Sequence, residues 1–153
     1  MTPCAEDPFA HCAIPAALEA VGERWAFLIL RGVFNGLHHF EEFQSTLGIA
    51  RNILSNRLAR LVEHGILERV PDCRDRRKVA YRLTDKGVAL LPVLIALRQW
   101  GERWISGQPC NPVLVDKHRH QPVATLRVCS ADGRELGIDE IEWVDRSQVG
   151  ALV

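Results

Sequence analysis

The sequence predicts a mainly α chain of the α+β class: short helices, one β-hairpin and a β-rich C-terminal extension. Three observations predict it. Apolar residues recur at helical spacing in four runs between residues 14 and 64, each closed by a glycine. The period then shortens on either side of a basic turn, Pro71–Lys78. After Gly107 the texture changes to turn residues and short alternating segments.

At 153 residues, 47% hydrophobic and 25% charged, the chain is long enough to bury a core of its own. That composition excludes wholesale disorder, collagen and a long coiled coil. The longest apolar run, Val88–Leu97, is interrupted by Pro92 and is too short for a membrane span, which needs about 18–20 residues. The N-terminal MTPCAEDPFAHC carries acids where a signal peptide carries basic residues, so a cytoplasmic protein is expected, without a membrane partner. Cysteines at 4, 12, 73, 110 and 129 form no CxxC pair and read as free thiols of a reducing compartment.

The first helix is set by Ile14, Ala17, Leu18 and Val21, and stops at Gly22. Trp25, Leu28, Ile29 and Val33 set the second, ending near Asn35-Gly36. Phe40, Phe43 and Leu47 set a third, ended by Gly48. In the fourth, Arg51–His64, the residues Leu54, Leu58, Leu61 and Val62 share one side. Asn52, Ser55, Asn56, Ala59 and Arg60 lie on the opposite arc, with Arg51 at its leading edge.

Ile66–Val70 and Val79–Leu83 read as two strands around a loop holding Arg74, Arg76, Arg77 and Lys78. Thr84 is a suitable N-cap for a long helix from Asp85 to about Ile105, which Pro92 should kink. Its Leu94, Leu97, Trp100 and Trp104 make it apolar on more than one side, which points to a dimer interface. Val113–Val115, Val123–Cys129 and Glu135–Ile138 read as strands of the extension, with a tight turn at Ala131-Asp132-Gly133. The expected division is a tail (1–11), a main domain (12–107) and the extension (108–153).

Charge singles out one region. The net charge is zero, yet residues 51–86 hold ten Lys and Arg against five acids, while residues 1–50 hold two against six. A basic segment in a neutral chain suggests a local anionic partner. Short helices, a polar-faced helix and a basic hairpin together describe a winged helix-turn-helix. A helix fits the major groove, and Arg51, Asn52, Ser55, Asn56 and Arg60 suit base edges and phosphates. Arg74, Arg76, Arg77 and Lys78 would track phosphates or the minor groove. The polar arc has no aromatic residues for stacking bases, which favours duplex DNA over single strands.

Several motifs fall in order between residues 12 and 106. They are Cys12, GERW, LILR, the F-x-x-F pair Phe40 and Phe43, LGI, RLxxLxxxGIL and YxLTxxG. On these the chain resembles the HxlR family of bacterial transcriptional regulators, relatives of the MarR-type winged-helix proteins. The resemblance implies a homodimer that binds double-stranded operator DNA. It implies that Arg51–His64 enters the major groove and that Val70–Val79 forms the wing. It places Ile14 and Leu18 of the first helix in the dimer interface, with Leu94, Leu97, Trp100 and Trp104 of the long one. It also implies a sensing role for Cys12, since some members respond to oxidants or electrophiles through a Cys directly before the first helix. A helix start favours a thiolate, and oxidation would give a sulfenic acid and then a disulfide. The alternative is a small buried side chain. Cys73, among the wing arginines, is a second candidate.

The chain departs from the family pattern at three places. His38-His39 stand where basic residues are common, as a pair of solvated or pH-sensitive side chains. Ala50 stands where a Ser often caps the reading helix, at a cost of roughly 1 kcal/mol. Arg76-Arg77 replace a Pro pair, making the wing more basic and more flexible. In the extension, Cys129-Ser130-Ala131-Asp132-Gly133 matches a Cys-x-x-Cys-Gly with Asp132 for the second Cys. Cys110, His118, His120 and Cys129 fit no standard zinc spacing, so neither a metal nor a cofactor is expected. No nucleophile–base arrangement or phosphate-cradling loop supports an enzyme. Two alternatives stay open: a winged helix turned protein-interaction module, and a regulator with a small apolar ligand near Trp25, Trp100 and Trp104.

Overall fold

Ile66 decides where helix gives way to hairpin. Its N–H donates to Leu61 O at 2.9 Å, so it still belongs to the helix end, and Gly65 beside it takes a positive φ of 67°. The strand therefore begins one residue later than the pattern predicts. A computed structural model describes residues 11–75 and 77–150. Arg76 thus lies outside the described residues, as do Cys4 and all of the tail but His11. The elements are α1 (Ile14–Val21), α2 (Arg24–Phe34), α3 (Phe40–Leu47), α4 (Arg51–Glu63), β1 (Leu67–Pro71), β2 (Val79–Leu83), α5 (Asp85–Val88) and α6 (Leu91–Gly101). The chain divides into two compact units, Met1–Leu94 and Ile95–Val153.

In the first unit α4 packs on α1, α2, α3 and β1. The core holds Ile29 and Leu30 of α2, Phe43 of α3, Leu54, Leu58 and Leu61 of α4, and Ile66 and Leu67 at the hairpin, all buried. All but Leu30 fall at the predicted apolar positions or in the predicted strand; Leu30 is buried where the pattern named Leu28, which is half-buried. Their burial drives the assembly of helices too short to stand alone. Glu23 caps α2, accepting from Trp25 N (3.1 Å) and Ala26 N (2.6 Å). Glu42 folds back over the start of α3, accepting from His38 N (2.8 Å) and His39 N (2.9 Å). Gly48 ends α3 in the left-handed region, opening the turn to α4.

The hairpin is antiparallel, in register Leu67↔Leu83 to Pro71↔Val79. Tyr81 N also donates to His38 O (2.7 Å), which ties the segment before α3 to β2. Thr84 caps α5 as expected, accepting from Gly87 N at 3.1 Å. Gly87 itself is dictated by space, because a Cβ there would lie 2.2 Å from Ile66 O.

The predicted long helix is interrupted. It breaks at Ala89-Leu90, restarts as α6 with Pro92 in its first turn, and ends in a π-helical turn, Glu102–Ser106. Pro92 has no N–H to continue the ladder, so it begins a helix here instead of bending one.

The extension is also less regular than expected. The segments 113–115, 123–129 and 135–138 pair only at single bridges, Val115↔Pro122 and Cys129↔Glu135. Pro122 cannot donate to a ladder, which limits the first pair to a short contact. The second keeps its tight turn, with Gly133 N on Ser130 O (2.9 Å) and Gly133 at φ 85°. Within this second unit, Glu102 accepts from Arg98 Nε (2.9 Å) and Cys110 N (2.9 Å). Gln99 accepts from Leu126 N (2.9 Å) and donates to Ala124 O (3.0 Å).

Candidate nucleic-acid interface

Leu54, Leu58 and Leu61 turn α4 so that its other side faces solvent. Arg51, Asn52, Ser55, Asn56, Ala59 and Arg60 are all exposed, as predicted. Two of them are held by neighbours. The Arg51 guanidinium lies over the Phe40 ring, 4.9 Å from its centroid. Arg60 Nη2 donates to Glu19 O of α1 at 3.2 Å, so its head turns toward α1. Arg51, Asn52, Ser55 and Asn56 keep their polar groups on the N-terminal half of the helix. Ala50 is extended and gives no side-chain cap, as its sequence position suggested.

The wing is organised by its acids. Asp72 Oδ1 accepts from Arg74 N (2.6 Å) and Asp75 N (3.1 Å), and Asp72 N donates to Lys78 O (2.9 Å). Asp75 Oδ1 accepts from both Arg77 N and Arg77 Nε at 3.1 Å. Arg74, Arg77 and Lys78 are exposed. Asp72 and Asp75 thus cross-link the described residues of the loop. Their carboxyls are held below the usual range: Asp72 at about 2, chiefly by the Arg74 N–H, and Asp75 chiefly by the Arg77 side chain.

His39, expected as a solvated or pH-sensitive side chain, has a carboxylate on either side. Its Nε2 lies 2.5 Å from Asp72 Oδ2 and its Nδ1 3.2 Å from Glu42 Oε1. The Asp72 and Glu42 carboxylates raise the His39 pKa above its ordinary value. Sequence spacing gives no sign of this pair, because Asp72 lies 33 residues further on.

Cys12 is half-buried, two residues before α1, and Cys73 is exposed in the wing. Ile14 and Leu18 leave 59% and 58% of their surface in solvent. On α6, Leu97 and Trp100 are exposed, followed by Trp104 in the π-helical turn, while Leu94 is half-buried. Val93, which the sequence reading passed over, extends that stripe at the i, i+4, i+7 spacing. Trp25 packs against the core of the first unit, with Arg24 stacked on it at 4.8 Å. Among the described residues, no three His, Cys, Asp or Glu side chains gather around a cation-sized space, and no helix is long and apolar enough to cross a membrane.

Known proteins share this architecture. The sequence model of the HxlR-like helix-turn-helix family matches residues 20–109. The uncharacterized HTH-type transcriptional regulator Rv3095 of Mycobacterium tuberculosis is 38% identical over 125 residues, covering 81% of this chain and 79% of the relative. The crystal structure of PA1607, a protein proposed to be a transcription factor, superposes with a TM-score of 0.82 at 43% identity, covering 90% of this chain and 96% of the other. The oxidized form of the redox regulator HypR superposes with a TM-score of 0.55 at 28% identity, covering 60% and 96%.

Proposed function

Because the chain belongs to the HxlR-like helix-turn-helix family of transcriptional regulators, not enzymes, we propose that it binds duplex operator DNA sequence-specifically as a homodimer in the cytoplasm. The observation that carries this reading is the exposed polar face of α4, with the basic wing on the same packed unit. Asn52 and Asn56 suit adenine edges, Arg51 suits guanine, and Ser55 suits either. Arg74, Arg76, Arg77 and Lys78 meet phosphates, which fix position without reading sequence. Arg60, already hydrogen-bonded to α1, contributes at the periphery. Ile53 and Ala59 are the exposed apolar residues of α4; the others on its exposed face are polar, which disfavours a protein-interaction module.

The exposed apolar side chains of α1 and α6 support dimerisation, each as a surface that water leaves unpaired. Residues 12–107 then serve as the DNA-binding and dimerisation part, and 108–153 as an extension. Control by thiol oxidation at Cys12 is the regulatory reading. The thiolate attacks a peroxide, whose O–O bond breaks to leave an alcohol or water as the sulfur takes one oxygen, and a second thiol condenses with the sulfenic acid to form the disulfide, releasing water. The likeness to HypR, a redox regulator, supports it.

The test is anisotropy of a labelled duplex enriched from a random library, titrated with reduced protein at 50 and 200 mM salt. With roughly 6–10 phosphates contacted, affinity should fall about 10³–10⁵-fold between the two. A library that yields no enriched duplex contradicts the reading.

A further inference from the structure

His39 stands between two carboxylates that belong to different parts of the fold. Asp72 Oδ2 faces Nε2 at 2.5 Å, and Glu42 Oε1 faces Nδ1 at 3.2 Å. An ionised carboxylate only accepts hydrogen bonds, and a neutral imidazole has a single N–H. Only the imidazolium presents an N–H toward both, as a hydrogen bond to Asp72 and an ion pair with Glu42. When the ring is neutral, one of its nitrogens confronts a carboxylate with no proton between them.

Each carboxylate has a second task. Glu42 accepts from His38 N and His39 N at the start of α3. Asp72 accepts from Arg74 N and Asp75 N, which shapes the loop carrying the wing's basic residues. The ring thus joins the helix-turn-helix to the residue on which the wing is built. His38 reinforces the junction through its carbonyl, which accepts from Tyr81 N at 2.7 Å.

We propose that protonated His39 is a latch that holds the wing in its DNA-binding arrangement, so that operator binding is linked to proton uptake. This rests on the DNA-binding reading above. His39 is then a positioning residue and touches no base.

Glu42 from its own helix and Asp72 from the wing are the charged groups that face the ring. Beyond Asp72 lie Asp75, paired with Arg77, and Lys78. Backbone N–H donors hold Glu42 and Asp72 below the usual carboxylate range, so both stay charged near neutrality. His39 is the member whose charge changes there. Its pKa is raised in the fold, so the latch is complete below its ordinary value of 6.5 and released as pH rises through the higher one.

The test measures binding of the enriched duplex from pH 6 to 8 for the wild type, His39→Gln, His39→Arg and Asp72→Asn. The wild type should lose about tenfold in affinity across the range, the effect of a linkage of one pK unit. His39→Gln and Asp72→Asn should bind weakly with little of this slope. His39→Arg, a permanent cation, should bind tightly with little slope, and so reports even if the neutral variants fold poorly. NMR titration of the His39 ring should give a pKa above 6.5, rising further on DNA. A His39→Gln protein that keeps the wild-type slope, or a ring pKa that DNA leaves unchanged, overturns the latch alone. Failure to bind any duplex at any pH overturns the DNA-binding reading and the latch with it.

Discussion

The guanidinium of Arg51, first residue of the reading helix, rests on the ring of Phe40, first residue of α3, at 4.9 Å from its centroid. One helix thereby aims a side chain of the next. An exposed cation–π contact is worth about 0.5–1 kcal/mol. Phe40→Leu keeps apolar packing against the core and removes the ring face. Operator affinity should fall about two- to fivefold. Arg51→Ala should cost more, about 1–3 kcal/mol, and relax preference at one base position. Titration of the enriched duplex and its single-base variants would measure both. Equal loss on every duplex would mean that Arg51 meets phosphate instead.

Ala50 has the extended backbone of an N-cap without a side chain to use it. Ala50→Ser supplies a hydroxyl for an unpaired N–H of the first turn of α4. Stability should rise by about 1 kcal/mol, roughly 2–6 °C in Tm. An unchanged melting curve would show that water already serves those donors.

Gly87 allows α5 to touch the hairpin. In Gly87→Ala the new Cβ would meet Ile66 O at 2.2 Å and Leu83 Cδ2 at 2.9 Å. Backbone must move, and the Thr84 cap moves with it. Destabilisation of more than about 2 kcal/mol is expected from chemical denaturation. Neutral behaviour would mean that the Thr84 to Gly87 turn is not rigidly seated.

Oxidation offers a fourth prediction. Diamide treatment should release wild-type protein from DNA, and thiol should restore binding. Cys12→Ser should bind when reduced and stay bound after diamide. A Cys12→Ser protein released like the wild type would return Cys12 to a packing role and direct attention to Cys73.

The first unit was legible because its determinants are local. Leu54, Leu58 and Leu61 recur at helical spacing, and Gly48 and Gly65 stop their helices with positive φ. The exposed arc of α4 follows from the same period, so most of the candidate reading face could be named residue by residue. What could not be read depends on partners distant in sequence. His39 finds Asp72 across the fold, and Arg60 finds the Glu19 carbonyl on α1. The long helix and the strands of the extension failed for another reason. Pro92, expected to bend the helix, interrupts it, and Pro122 removes a donor from the first pair of segments; nothing in the structure explains why the second pair stays a single bridge.

The central claim is that α4 reads bases while the wing holds phosphates. One measurement separates these roles: the affinity ratio for the enriched duplex over a scrambled one, for the wild type, Asn52→Ala/Asn56→Ala, and Arg74→Ala. The helix variant should lose most of that ratio, with scrambled-duplex affinity nearly unchanged. The wing variant should weaken both duplexes alike and reduce the salt slope by about 1. A helix variant that keeps the wild-type ratio would contradict the account.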